Sequence, residues 1–118
     1  MAETQHGWTK LLTRTGRYEI QFQGRGPAVR GGMYEEAQDY TFLILDEEGW
    51  LYRVPVRVSA EAEAAIATLS IEVLRVAEAR LRAGLDAFRP RQGAPYEELD
   101  VHFAVDAVTA RELVSTLK

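Results

Sequence analysis

The chain has 118 residues, of which 47% are hydrophobic and 27% are charged, and its formal net charge is −4. These values are typical of one globular domain, and they exclude a largely disordered chain and a strongly basic nucleic-acid-binding arm. The sequence contains no Cys, which excludes disulfides, thiolate nucleophiles, iron–sulfur clusters and cysteine-based zinc sites.

We expect residues 1–118 to form a single α+β domain in which residues 1–7 are frayed. No apolar run approaches the roughly 18 residues that a membrane-spanning helix needs, and residues 1–10 lack the apolar centre of a signal peptide. A cytoplasmic protein without a membrane partner is therefore predicted. The chain also has few lysines beside many arginines, and no Asn or Cys, a composition that suits a thermophilic source.

The first half of the chain has the patterns of β-strands. Residues 8–13 are rich in strand-forming side chains and are followed by a turn at Thr15 and Gly16. Over residues 17–23, apolar and polar residues alternate with a period of two, which predicts a strand with one solvent-facing side. Residues 24–39 contain several glycines and are predicted to form a long interstrand loop.

The next two strands are predicted to form a hairpin. Residues 40–45 are continuously apolar, as in a central strand that is covered on both faces. A turn at residues 46–49 leads to residues 50–58, where apolar residues again occupy alternate positions. Because Pro55 cannot donate a ladder hydrogen bond, this strand is expected at a sheet edge or at a bulge.

A single long helix is predicted over residues 60–88. Ser59 is a suitable N-cap, and Pro90 prevents the helix from continuing. A helix of that length spans about 43 Å, whereas a six-residue strand spans only about 20 Å. The apolar face of the helix thus exceeds what the sheet can cover, and we expect the surplus to pack on the C-terminal helix and on a second subunit.

The rest of the chain is predicted to contain a loop, one strand and one helix. Residues 89–98 form the loop, the alternation over residues 99–105 predicts a fifth strand, and a capping box at residues 109–112 begins a short final helix. The predicted order is ββββαβα. The fold class is therefore α+β, an antiparallel sheet of four to five strands with the long helix and the short C-terminal helix on one face.

Four arginines form the first candidate site. Arg25 and Arg30 lie in the glycine-rich segment, and Arg53 and Arg57 share one face of a strand, so together they could bind an anionic ligand or single-stranded nucleic acid. However, the glycine spacing matches neither a Walker loop nor a dinucleotide fingerprint, and the aromatic residues of the strands occupy the opposite, apolar faces. A solvated face of mixed charge is the favoured interpretation, and nucleic acid is not a favoured partner.

A second candidate consists of Asp100 and His102, which the predicted fifth strand places on one face. A carboxylate beside an imidazole can orient a general base or begin a metal site. A catalytic zinc normally has three protein ligands, and the only other histidine, His6, lies in the N-terminal segment expected to be frayed. A small metal-assisted enzyme is consequently the least favoured hypothesis, and no cofactor is predicted.

The favoured hypothesis is a non-catalytic, homo-oligomeric interaction module that dimerises through the long helix. Arg80 falls within the apolar stripe of this helix, where its stem could cover apolar surface or its charge could pair across an interface. Gly84, on the same stripe, would permit close approach of another helix. The predicted interface comprises Val73, Ala77, Arg80, Leu81, Gly84 and Leu85.

Overall fold

Four strands followed by four helices make up residues 7–28 and 36–117, the part of the chain that this computed structural model describes. The elements are β1 (Thr9–Thr13), β2 (Gly16–Pro27), β3 (Gln38–Asp46), β4 (Leu51–Val58), α1 (Ala60–Ala67), α2 (Val73–Ala87), α3 (Tyr96–Phe103) and α4 (Ala107–Leu117). The predicted α+β class is confirmed, although the order is ββββαααα. The expected fraying of residues 1–6 and the anion-binding role of Arg30 lie outside the described residues.

The sheet is an antiparallel meander with the order β1-β2-β3-β4. The alternating apolar residues of the strands form its inner face, which packs on the helices. Buried side chains on this face include Tyr18 and Ile20 of β2, Phe42 of β3 and Val54 of β4. β4 is an edge strand, as Pro55 predicts. The Arg57 carbonyl oxygen points away from β3 and accepts from Val105 N–H at 2.7 Å. Pro55 has the same orientation in the ladder, so its missing N–H falls on the outer edge.

The predicted loop over residues 24–39 is wrong at both ends. β2 continues to Pro27 and β3 begins at Gln38, with Gly24 opposite Thr41 and Gly26 opposite Asp39. Glycine retains its backbone N–H and C=O, so the glycines take part in the ladder. The register shifts between Phe22 and Gly24, which marks a β-bulge and changes the face towards which the following side chains point.

The single helix predicted over residues 60–88 is also wrong, because the chain turns between α1 and α2. Ser59 caps α1 as expected, its Oγ accepting from Ala62 N–H at 3.1 Å. After Ala67, however, Ser70 has a φ of 58°, in the left-handed region that a right-handed helix cannot include. The apolar positions on either side of this turn happen to continue one helical projection, which conceals the break in the sequence pattern.

The predicted fifth strand is replaced by helix α3. Leu99 and Phe103, four residues apart, are both buried, whereas Val101 between them is 69% exposed. This spacing is that of a helix. Val105, which follows α3, is the residue of the predicted strand that pairs with the sheet. Val105 makes a single parallel bridge to Val58 at the outer edge of β4.

The core lies between the inner face of the sheet and the helices. Of the residues predicted to form an interface between subunits, Ala77, Leu81, Gly84 and Leu85 are buried within this chain, and Val73 packs against the same core. The long apolar stripe that suggested a helical interface is thus divided between two shorter helices, and these residues pack within the chain. No helix within residues 7–28 and 36–117 is long and apolar enough to cross a membrane.

Candidate interaction surface on the open face of the sheet

The arginines predicted to bind an anion do not converge in the described part of the chain. After the bulge in β2, Arg25 lies opposite Tyr40 on the inner side of the sheet. Its Nη2 is 3.6 Å from Glu63 Oε2, and its guanidinium carbon is 5.9 Å from the centre of the Tyr40 ring. Arg53 and Arg57 lie on the outer face of β4 instead. The two faces of the sheet therefore separate the residues of the proposed anion site.

Tyr40 and Glu63 connect the sheet to α1. The Tyr40 hydroxyl donates a hydrogen bond to Glu63 Oε2 at 2.9 Å. Burial of the ring, followed by the hydrogen bond and the negative charge of Glu63, raises the pKa of Tyr40 to about 12, although the charge of Arg25 acts in the opposite direction. Arg25, Glu63 and Tyr40 thus form one polar cluster between β2, β3 and α1, in which the exposed Arg25 lies within ion-pair distance of Glu63.

Asp100 and His102 are separated by the geometry of α3. Residues two apart on a helix project about 200° apart, whereas on a strand they would share a face. Asp100 Oδ2 lies 3.5 Å from Arg57 Nη1, while the His102 ring stacks on Phe88 with ring centres 4.6 Å apart. The predicted carboxylate–imidazole pair is therefore not formed. Within residues 7–28 and 36–117, moreover, no three His, Asp or Glu side chains are grouped so that they could hold a metal ion.

Arg80 joins α2 to the end of α3. Its Nε donates to the Ala104 carbonyl oxygen at 2.8 Å and its Nη2 to the Val101 oxygen at 3.1 Å. These oxygens lie at the negative end of the α3 dipole, where a cation is favourable. Burial lowers the pKa of Arg80, and the charge of Asp106 opposes this effect. Neither role considered for Arg80 includes this contact, in which the guanidinium donates to carbonyl oxygens of the same chain.

A polar cleft of about 340 Å³ lies where β4, α3 and α4 meet. It is lined by Arg57 and Arg80 and also by Asp100 and Asp106. The two guanidinium groups are thus matched by two carboxylates, and the charged side chains of the lining sum to zero. This cleft brings together three residues that were assigned to different candidate sites, but it does not present the excess positive charge that an anion site needs.

The outer face of the sheet presents a cluster of leucines. Residues opposite one another in the ladder share a face, and Leu45 is opposite both Glu19 and Leu51, while Leu43 is opposite Gln21. Leu51 is 49% exposed, and Leu12, on the same face of β1, is 73% exposed. We refer to these four residues as the outer leucine patch, which comprises Leu12, Leu43, Leu45 and Leu51.

Charged residues of both signs surround the outer leucine patch. A depression of about 500 Å³ beside Leu12 and Leu45 is lined by the charged residues Lys10, Arg17, Glu19 and Glu47 among others. The opposite end of this face is closed, since Asp39 and Pro55 are buried there. The open part thus lies near the β1–β2 turn and the β3–β4 turn, and it combines exposed leucines with a mixed-charge rim.

The outer leucine patch was not identified from the sequence, although the sequence contains a signal for it. Over residues 40–45, apolar side chains occur at both even and odd positions, a pattern from which we predict burial of both faces. The structure buries Tyr40, Phe42 and Ile44 on the inner face and leaves Leu43 and Leu45 only half-buried on the outer face. Comparing the outward positions of neighbouring strands would have revealed the leucines.

Comparison of the chain with protein families, with curated proteins and with solved structures found no match in any of the three.

Proposed function

We propose that this protein is a non-catalytic interaction module that forms a homodimer through the outer leucine patch. The exposure of Leu12 and Leu51 at the margins of a half-buried pair, Leu43 and Leu45, is the observation that carries this proposal. Scattered exposed leucines are ordinary, but neighbouring apolar side chains on an open sheet face are a feature of interaction sites. Leu43, Leu45 and Leu51 are such neighbours on β3 and β4, whereas charged residues of β2 lie between them and Leu12. Burying them yields roughly 25 cal/mol per Å² of apolar surface.

The rim of the patch supports a second copy of this chain as the occupant. Lys10, Arg17 and Arg53 are positively charged, while Glu19 and Glu47 are negatively charged. A strongly acidic or strongly basic partner would meet charges of its own sign on such a surface. A face that carries both signs beside its leucines can instead complement itself, as a two-fold interface requires.

The placement of the other candidate residues agrees with a non-catalytic role. Asp100 and His102 point away from each other, and Arg25 lies on the opposite face from Arg53. Acid–base catalysis needs groups within hydrogen-bond reach of one reacting atom. Arg25 and Arg57 instead lie within ion-pair distance of carboxylates on α1 and α3, and so connect the sheet with those helices.

Light scattering coupled to size exclusion tests the proposal directly. The chain has a mass of 13.3 kDa, and we expect twice this mass in solution. Leu51→Asp should yield a folded monomer, because a carboxylate in the interface would be desolvated without a partner. Val108→Asp is the matched control, since Val108 is 61% exposed on α4, outside the patch, and this variant should remain dimeric. A wild-type monomer at all concentrations would contradict the proposal.

A further inference from the structure

We propose that the two copies stack with their strands crossed, so that Glu19 of each copy faces Arg53 of the other. This inference rests on the proposed dimer through the outer leucine patch and specifies its geometry. It assigns to Glu19 and Arg53 the role of fixing one orientation between two otherwise apolar surfaces. Apolar contact has little directionality, so a single dimer geometry requires such a determinant.

The strand register places these two residues at opposite corners of a rectangle. Glu19 on β2 is opposite Leu45, and Arg53 on β4 is opposite Leu43. Leu43 and Leu45 both lie on β3, which runs between the other two strands. Glu19 and Arg53 are therefore displaced from the midpoint between Leu43 and Leu45 by similar amounts in opposite directions.

The remaining two corners of the rectangle are uncharged. Gln21 is opposite Leu43 on the β2 side, and Leu51 is opposite Leu45 on the β4 side. When two sheets stack face to face, the two-fold axis lies in the plane between them. An axis that runs close to the diagonal from Gln21 to Leu51 exchanges the other two corners, which brings Glu19 of one copy against Arg53 of its partner and forms two equivalent ion pairs.

Axes along β3 or perpendicular to it, through the midpoint between Leu43 and Leu45, do not pair these charges. An axis along β3 places Glu19 over Leu51 of the other copy, and an axis perpendicular to β3 places it over Gln21. Both arrangements bury a carboxylate against an uncharged side chain. The diagonal axis makes the strands of the two sheets cross steeply, which is close to the orthogonal arrangement known for stacked sheets.

Arg53 and Glu19 are both placed so that they can reach a partner. Arg53 is exposed, and its Nη2 makes a long contact of 3.4 Å with Gln23 Oε1. Glu19 is half-buried and lies opposite Lys10 of β1. In the dimer built on the diagonal axis, Leu51 lies near that axis and packs against Leu51 of the other copy. The same arrangement therefore forms an apolar contact and two ion pairs.

Charge exchange tests the orientation. Glu19→Arg and Arg53→Glu should each raise the dissociation constant of the dimer by on the order of tenfold to a hundredfold. Each change introduces two like-charge contacts per dimer. The double variant Glu19→Arg/Arg53→Glu should recover most of the lost affinity. Arg75→Glu, an exposed site on α2 outside this face, is the control and should leave the dimer unchanged. Thermal unfolding by circular dichroism establishes that each variant is folded.

The outcomes distinguish this inference from the proposed function. Suppose that wild type is a dimer and Leu51→Asp is a monomer, but that the folded variant Glu19→Arg/Arg53→Glu does not recover the lost dimer affinity. The crossed orientation is then wrong, and the dimer through the patch stands. If wild type is a monomer, both proposals fail.

Thiol cross-linking gives an independent measurement, because the chain has no Cys. A short bismaleimide spans the roughly 10 Å between stacked sheets. It should link Leu51→Cys to itself, and it should also link the double variant Glu19→Cys/Arg53→Cys. Glu19→Cys alone should not be linked, and efficient linking of that single variant would overturn the crossed orientation.

Discussion

Gly84 on α2 lies directly against the ring of Phe103 on α3, with no space between them for a side chain. A Cβ added at Gly84 would overlap the Phe103 ring and would lie 2.6 Å from the backbone oxygen of His102. The close approach predicted for this glycine therefore exists, but the neighbouring helix belongs to the same chain. Gly84 determines how closely α2 and α3 can pack.

We predict that Gly84→Ala destabilises the fold, although alanine favours a helix by about 1 kcal/mol relative to glycine. The overlap with Phe103 requires a backbone or ring shift that typically costs about 1–3 kcal/mol, so a net loss is expected. Denaturant unfolding measures this loss. Gly26→Ala is the control, because a Cβ at that position would have no non-neighbouring atom of the described residues within 4 Å, and its effect should be small.

Replacing Arg80 by Met should destabilise the contact between α2 and α3. The variant keeps an unbranched stem but removes the donors to the Val101 and Ala104 carbonyl oxygens. We expect a loss of about 1–3 kcal/mol in the free energy of unfolding, because hydrogen bonds from a charged donor are lost at a partly buried site. Arg82→Met, at an exposed position on the same helix, should change stability by less than about 0.5 kcal/mol.

The raised pKa of Tyr40 predicts a loss of stability in strong base. The folded state holds the Tyr40 proton up to about pH 12, whereas the unfolded chain releases it near the ordinary tyrosine pKa of 10.0. The stabilisation from this proton is complete below pH 10 and is lost as the pH rises from there towards 12. Tyr40→Phe should show a shallower decrease over this range, measured by urea unfolding at a series of pH values. Equal slopes would contradict the effect.

The lowered pKa of Asp106 predicts a loss of stability in acid, the opposite of the effect of Tyr40. Its Oδ1 accepts from Thr109 N–H at 2.7 Å at the start of α4, and this hydrogen bond is the main cause that lowers the pKa of Asp106. The stabilisation is present above the pKa that Asp106 has in the unfolded chain. It is lost as the pH falls through the lower pKa that Asp106 has in the folded state. Asp106→Ala should cost about 1 kcal/mol at neutral pH, and the difference should shrink in acid.

Asp106→Asn separates the cap from its charge. Asn is also a good N-cap, so this variant should retain most of the stability at neutral pH while losing the acid dependence. If Asp106→Asn and Asp106→Ala are equally destabilised at neutral pH, the cap hydrogen bond is not the source of the effect.

The sheet was predictable because its signals are local. The alternation around Tyr18 and Ile20, and Pro55 at an outward-facing ladder position, each identify a strand or an edge without reference to other parts of the chain. The division of the helical region was not predictable from periodicity, since the apolar positions before and after Ser70 continue one stripe. Ser70 adopts the left-handed conformation that ends this stripe, and a serine gives no local signal for it.

The fifth strand shows how a short pattern can satisfy two periods. Leu99, Val101, Phe103 and Val105 alternate, but Leu99 and Phe103 are also four residues apart. Pro95 followed by two acidic residues is a helix-start signal that favours the second interpretation. Once α3 is helical, Asp100 and His102 must separate, so the error in secondary structure also produced the incorrect candidate site.

The outer leucine patch depends on a relationship that no single strand contains. Leu12, Leu45 and Leu51 belong to three strands, and each is unremarkable in its own segment. Only the register of the meander places them on one face. Predicting such a surface requires the strand order and the parity of every strand together.

The meander also determines the order in which the chain should fold. Each strand pairs with its neighbour in sequence, so hairpins form through short loop closures, whereas the bridge between Val58 and Val105 closes a segment that contains α1, α2 and α3. We expect destabilising substitutions in the β3–β4 hairpin to slow refolding, and those near Val105 chiefly to accelerate unfolding. The helical layer then acts as a late-forming cover that completes a sheet already assembled.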